Sequence, residues 1–156
     1  IWQDRMDLQV DAVIAGELIE HCAYPEDIVI RLLDCLKPGG ILILTTPNGK
    51  AFGNRLPLFG EIASREARRH LEARQFGPDG SDHLFLFGLD DLDLILPKNA
   101  EMLEKGYLGG IVLTSGKANR LLGERHCLRL FDAVGRLPPL NKKLIGNLFA
   151  VIRKTA

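Results

Sequence analysis

At 156 residues, 46% hydrophobic and 26% charged, the chain has the size and balance of one folded domain, which excludes a disordered segment. Twenty basic residues against 20 acidic ones give a formal net charge of +0, so no overall charge draws the protein to nucleic acid or to an anionic membrane surface. No apolar run approaches the ~20 residues of a membrane span, and Cys22, Cys35 and Cys127, odd in number and without paired metal spacing, read as reduced thiols of a cytoplasmic protein.

The first element is a short buried strand over residues 11–15, DAVIA. GELIEH follows at 16–21, and a helical turn there puts Glu17, Glu20 and His21 on one face. Pro25 then opens a helix, with Glu26 and Asp27 at its positive end and Lys37 at its negative end. Ile28, Val29, Leu32, Leu33 and Leu36 form its apolar stripe. Pro38-Gly39-Gly40 ends the helix and turns the chain into a second strand at 41–46, whose unbroken apolar run suits cover on both faces. Strand, helix and strand in this order predict a βαβ unit with parallel strands.

Pro47-Asn48-Gly49 closes the second strand, and 48–59 reads as loop. Residues 61–75 predict a helix carrying Arg65, Arg68, Arg69 and Arg74 among Glu61, Glu66 and Glu72. It reads either as a lid that recruits an anionic acceptor or as a solvated face. A Gly/Pro turn spans 76–81, and 89–105 is broadly helical, broken or kinked at Pro97. Gly109-Gly110 lead into a third strand at 111–114, a helix covers 117–136, and a fourth strand covers 148–153, the last two strands being placed to pair antiparallel at the sheet edge. Ser115-Gly116-Lys117 lacks the spacing of a phosphate loop. In an open parallel sheet ligands bind beyond the carboxyl ends of the strands. GELIEH and TTPNG therefore share one rim.

The segment 11–48, DAVIAGELIEHCAYPEDIVIRLLDCLKPGGILILTTPN, resembles the second half of class I S-adenosylmethionine-dependent methyltransferases, in the branch that includes ubiquinone-biosynthesis O-methyltransferases. SDHLFLFGLDDLDLIL is similar to that family's His-x-Phe segment, and GGIVLTSG and NLFAVIRK fit its last two strands. The resemblance implies an α/β, Rossmann-like three-layer sandwich with a mostly parallel sheet and an antiparallel edge strand. It implies that this fold is incomplete, its first strands being absent: 1–156 corresponds to the carboxyl-terminal part of a single domain whose amino-terminal, glycine-rich cofactor half is missing. Ile1 falls just after the family's third strand, and no G-x-G-x-G occurs. Such a fragment alone is expected to expose a sheet edge and to be inactive.

The implied activity is methyl transfer from S-adenosyl-L-methionine to oxygen of a small-metabolite or sugar-linked acceptor. Ile1 and Trp2 fall where the family packs on adenine, and Ala15, Gly16 and Glu17 where its chain passes the methionine portion; Trp2 reads equally as a core aromatic. Glu17, Glu20, His21 and His83 are similar to the metal site of small-RNA 2′-O-methyltransferases, and a mixed carboxylate–imidazole set accepts Mg, Mn, Fe or Zn. Without an ion, His21 or His83 serves as general base, with Glu20 beside it. On a third reading these residues only line the pocket and hold loops. Two alternatives concern the whole chain: a non-catalytic, methyltransferase-like scaffold, and a nicotinamide-dependent Rossmann oxidoreductase. Against the latter, Tyr24 and Tyr107 are followed four residues on by Ile28 and Ile111, not by Lys.

Overall fold

Val10–Gly16 (β1) and Leu36–Pro47 (β2) run parallel, joined through the helix Pro25–Asp34 (α1), in a computed structural model that describes residues 9–75, 83–111, 129 and 142–155. The predicted βαβ unit is present. Pro25 sits in the first turn of α1 with Glu26 and Asp27, and the helix buries Val29 and Leu33 while Ile28 and Leu32 are half-buried beside them. Leu36, expected at the end of that stripe, is fully buried but belongs to β2. The helix stops earlier than predicted, with Cys35 as its C-cap.

Lys37-Pro38-Gly39-Gly40 form an irregularity inside β2. The register passes from Val10↔Leu36 to Ala12↔Ile41, so β2 carries extra residues opposite β1. Gly39 has φ +79°, and a Cβ on Gly40 would come within 2.9 Å of the Lys37 carbonyl oxygen. Gly39→Ala is expected to cost about 1 kcal/mol through left-handed strain alone, since its Cβ meets no neighbour within 4 Å. A fall in Tm of about 2–4 °C would register it.

Ala100–Ile111 (β3) and Ile145–Lys154 (β4) complete a four-stranded sheet in the order β1-β2-β4-β3. β4 lies between β2 and β3 and is antiparallel to both. β3 and β4 pair antiparallel, but β3 is not the strand expected at 111–114: it runs over residues read as helix and meets that expectation only at Ile111. The expectation of a mostly parallel sheet with one antiparallel edge strand is corrected: the antiparallel strand is internal, and it makes two of the three pairings antiparallel.

Side chains alternate across this sheet. Ala15, Leu42, Leu44, Leu148, Ala150 and Ile152 are buried on one face, in a core shared with Val29, Leu33, Phe59, Phe85, Phe87 and Leu92. On the other face Ile14 is 75% exposed, and Ile41, Ile43 and Val151 are half-buried. The described residues thus build two layers, where the expected sandwich had three and β2 was expected to be covered on both sides. β1 ends the strand order, and its outer edge is unpaired among the described residues.

The predicted helix 89–105 is not formed. Leu89–Ile95 is a 3-10 helix that buries Leu92 and Ile95, and after Pro97 the chain becomes β3. Leu96, one residue before the proline, is extended at φ −82°, ψ 120°, as sterics before Pro demand. Glu101-Met102-Leu103-Glu104-Lys105 are good helix formers, but the ladder to β4 overrides them. The predicted helix 61–75 is likewise broken into 3-10 helix Phe59–Ile62, a four-residue helix Arg65–Arg68 (α2) and 3-10 helix Arg69–Arg74. The expected turn at 76–81, the strand at 112–114, Ser115-Gly116-Lys117, Cys127, Ile1 and Trp2 lie outside the described residues, as does the helix 117–136 apart from Arg129.

Candidate functional site

The carboxyl ends of β1 and β2 meet closely. The Glu17 N–H donates to the Thr45 carbonyl at 3.0 Å, and a Cβ on Gly16 would stand 3.1 Å from Thr45 Oγ1. Glu17 itself has φ 49°, which ends the strand sharply. The chain then makes a tight 3-10 turn, Ile19–His21, closed by His21 N–H to the Leu18 carbonyl. This turn drives Ile19 and Glu20 inward, to 1% and 0% exposure.

Glu20 is fixed at two points. Its carbonyl accepts from Leu84 N–H at 2.9 Å, and its Oε2 accepts from the Thr46 hydroxyl at 3.0 Å. Leu84 opens a buried stretch that continues through Phe87, bridged to Asn48 and Leu58 and packed by Phe59 against Phe85 and Phe87. That stretch delivers His83. Glu20 Oε1 is left buried and without a hydrogen bond, 3.9 Å from His21 Nε2 and 4.0 Å from His83 Nε2. The two imidazoles stand edge to face, with centroids 4.8 Å apart. Glu20, His21 and His83 each offer a ligand atom within 4.8 Å of the others.

Burial pushes the Glu20 carboxyl above the usual glutamate range, against backbone and Thr46 hydrogen bonds that favour its anion. Burial and then the neighbouring His21 push His83 below the usual histidine value. Cys22, also buried, donates to the Leu18 carbonyl, and its thiol is pushed up to about 11, which removes it as a nucleophile near neutral pH.

The remaining predicted residues divide. Ala15 is buried and Gly16 is exposed at the same rim. Glu17, expected to join the ligands, is exposed, stands outside the cluster and accepts from Asn147 Nδ2 at 3.4 Å. Helical periodicity put it on one face with Glu20 and His21; the left-handed residue followed by a 3-10 turn separates them.

Sequence reasoning missed Thr46, Gln75 and the role of Arg68. Arg68, 1% exposed, gives bidentate hydrogen bonds to Glu26 at 2.9 and 2.8 Å and reaches the carbonyls of Ala23 at 2.6 Å and Ala63 at 2.9 Å. Its guanidinium lies over Phe59 at 4.7 Å. Gln75 Oε1 accepts the Ala23 N–H at 2.9 Å. Arg65 grips Asp27 through two bonds of 2.9 and 2.8 Å and covers the Tyr24 ring, whose hydroxyl donates to Glu72. The segment 59–75 is thus strapped to the start of α1. The reading of Arg65 and Arg68 as an anion-recruiting lid is corrected, because their charge is met by Glu26 and Asp27. An Arg pair at i, i+3 and an acidic pair at a helix start were the only sequence signals for it.

Residues 5–44, which include β1, α1 and most of β2, match a family model described as a methyltransferase domain. No curated protein matches the chain. Among solved structures, coclaurine N-methyltransferase bound to N-methylheliamine and SAH is similar over 97% of this chain and 50% of its own, at 12% identity and TM-score 0.51. N-methyltransferase NodS from Bradyrhizobium japonicum WM9, in complex with S-adenosyl-L-homocysteine, is similar over 99% of this chain and 50% of its own, at 12% identity and TM-score 0.47. The [4+2]-cyclase SpnF is similar over 95% and 50%, at 17% identity and TM-score 0.47. The chain spans about half the length of these structures. What it shares with coclaurine N-methyltransferase is the fold: part of an α/β methyltransferase-like domain, with a mixed sheet. No helix among the described residues is long and apolar enough to cross a membrane.

Proposed function

We propose that the protein is an S-adenosyl-L-methionine-dependent methyltransferase acting on a hydroxyl of a small-molecule acceptor, and that Glu20, His21 and His83 handle the acceptor's proton. One observation carries this: a buried carboxylate oxygen without a hydrogen bond, Glu20 Oε1, faces two imidazole nitrogens at the rim where two parallel strands end. The methyltransferase-domain match at 5–44 and the fold support the donor. Transfer from a sulfonium needs the reacting atoms in line, and a hydroxyl acceptor must also lose its proton, which a neutral amine need not do before attack. An acid–imidazole cluster suits the hydroxyl. Ala15, Gly16 and Glu17 would pass the methionine portion of the donor, and Ile1 and Trp2 its adenine.

The cluster residues fit a divalent cation. Metal bonds of ~2.0–2.2 Å require the donor atoms to draw closer than the 3.9 and 4.0 Å that separate Glu20 Oε1 from the two imidazole nitrogens. The unpartnered Glu20 Oε1 supplies the negative donor, and His21 and His83 supply nitrogen. Two nitrogens to one oxygen suit Fe²⁺ or Zn²⁺ better than Mg²⁺. Once bound, such an ion lowers the pKa of an acceptor hydroxyl. A metal-free variant of this reading has its own observation: His83 is partly exposed, and burial and the neighbouring His21 lower its pKa, which favours the neutral form that a general base needs.

Calorimetry of the full-length protein with S-adenosyl-L-methionine, followed by turnover with and without a chelator, separates these cases. Heat on donor addition, and turnover lost to chelation and restored by Fe²⁺ or Zn²⁺, are the expected results. Turnover indifferent to chelation removes the ion and leaves His83 as base. No heat under any condition defeats the methyltransferase and favours the scaffold.

A further inference from the structure

We propose that Thr46 is a positioning residue for Glu20: its hydroxyl holds Oε2 so that Oε1 alone faces His21 and His83. This rests on reading those three residues as a cation site. Thr46 is 1% exposed on β2, one residue past the last pair with β1 and opposite Leu148 of β4. The parallel register sets Gly16 beside Thr45, so the residue after that pair stands beside the turn that follows β1. Its hydroxyl lies 3.0 Å from Glu20 Oε2. A β-branched side chain in a strand is stiff at χ1, which makes it a fixed donor. The terminal carboxylate torsion of Glu20, by contrast, is broad and roughly two-fold.

Backbone anchoring through Leu84 N–H places the Glu20 main chain but leaves that torsion free. The Thr46 hydrogen bond removes the freedom. With Oε2 held, Oε1 lies 3.9 and 4.0 Å from the two imidazole nitrogens and accepts no hydrogen bond among the described residues. Glu20 then presents one oxygen, a monodentate ligand of defined direction. Replacing the hydroxyl by a methyl group removes the side-chain donor that holds Oε2, and the carboxylate is then free to rotate, which degrades the site. A serine keeps the donor. The two rim segments, GELIEH and TTPNG, are joined chemically through this one bond.

Co²⁺ is the probe, titrated without S-adenosyl-L-methionine into full-length wild type, T46V, T46S and E20Q, and followed by calorimetry and visible absorption. T46V is expected to bind Co²⁺ about 10–100-fold more weakly, the usual effect of losing a partner that orients a ligand, with an altered absorption band. T46S is expected to stay close to wild type. Melting curves monitor the fold, and if T46V does not fold, T46A, which also lacks the hydroxyl, carries the same expectation. Wild-type Co²⁺ affinity in the hydroxyl-free variant, or a T46S as weak as T46V, overturns the role of Thr46 and leaves the cation site standing. A wild type that binds no Co²⁺ overturns both.

Discussion

Glu20→Gln abolishes function without costing stability. That is the expected result, and it follows from the unusual position of the carboxylate. Glu20 is fully buried with one oxygen unpartnered, a condition that costs the native state about 1–3 kcal/mol, and more when the group is charged. The amide removes the charge and keeps the shape. Affinity for Fe²⁺, Zn²⁺ or Co²⁺ should fall by more than ~100-fold, beyond the range seen for partners that only orient a ligand, and turnover should fall with it. Denaturant unfolding without cations should show E20Q at least as stable as wild type.

The pH dependence has a definite sign. The Glu20 carboxyl is raised above its unfolded value, chiefly by burial, so its stability contribution is fully present below the unfolded value. That contribution is lost as pH rises through the folded one. Wild type without cations should therefore lose stability, relative to E20Q, as pH rises above the usual glutamate range. His83 has the opposite slope, because its value is depressed; its contribution is lost as pH falls. Both proteins carry His83, so its own slope is common to both, and their difference reports the loss of the carboxyl from the cluster. Parallel pH profiles would count against a strained Glu20, and E20Q with normal turnover would count against the site.

Arg68→Ala should destabilise the fold by about 3–5 kcal/mol, the usual cost of breaking a buried ion pair from one side. The guanidinium is 1% exposed and serves Glu26, Ala23 and Ala63 at once. Removing it strands the two carbonyls and opens a void beneath Phe59. Lysine restores charge but not the planar fork, so R68K should recover only part of the loss. Arg65 is the internal comparison: its side chain is 54% exposed, and R65A should cost no more than ~1 kcal/mol. Urea unfolding of the three variants tests the contrast. Equal losses for R68A and R65A would mean that segment 59–75 is not anchored through Arg68.

The legible parts of the fold were those with local punctuation. Pro25, the acidic pair after it and the stripe through Leu33 marked α1, and the apolar runs marked β1 and β2. β3 was misread because Glu101 to Lys105 favour helix locally, whereas the partner that makes them a strand lies more than 40 residues on in the sequence. Of the site, His21 and Glu20 were visible as neighbours, and His83 through resemblance alone. Thr46 stood in a quoted motif, but nothing in the chain says which atom its hydroxyl meets.

Sequence by itself determined the strand–helix–strand order, the shared rim and the residue types available there, because periodicity, capping and turn chemistry act over a few residues. Tertiary structure decided which of those residues meet. The turn at Ile19–His21 turns Glu20 inward and leaves Glu17 out, strand register sets Thr46 against Glu20, and the bond from Leu84 brings His83 across. The last two depend on distances between segments tens of residues apart, fixed by sheet pairing and core packing, which no local pattern encodes.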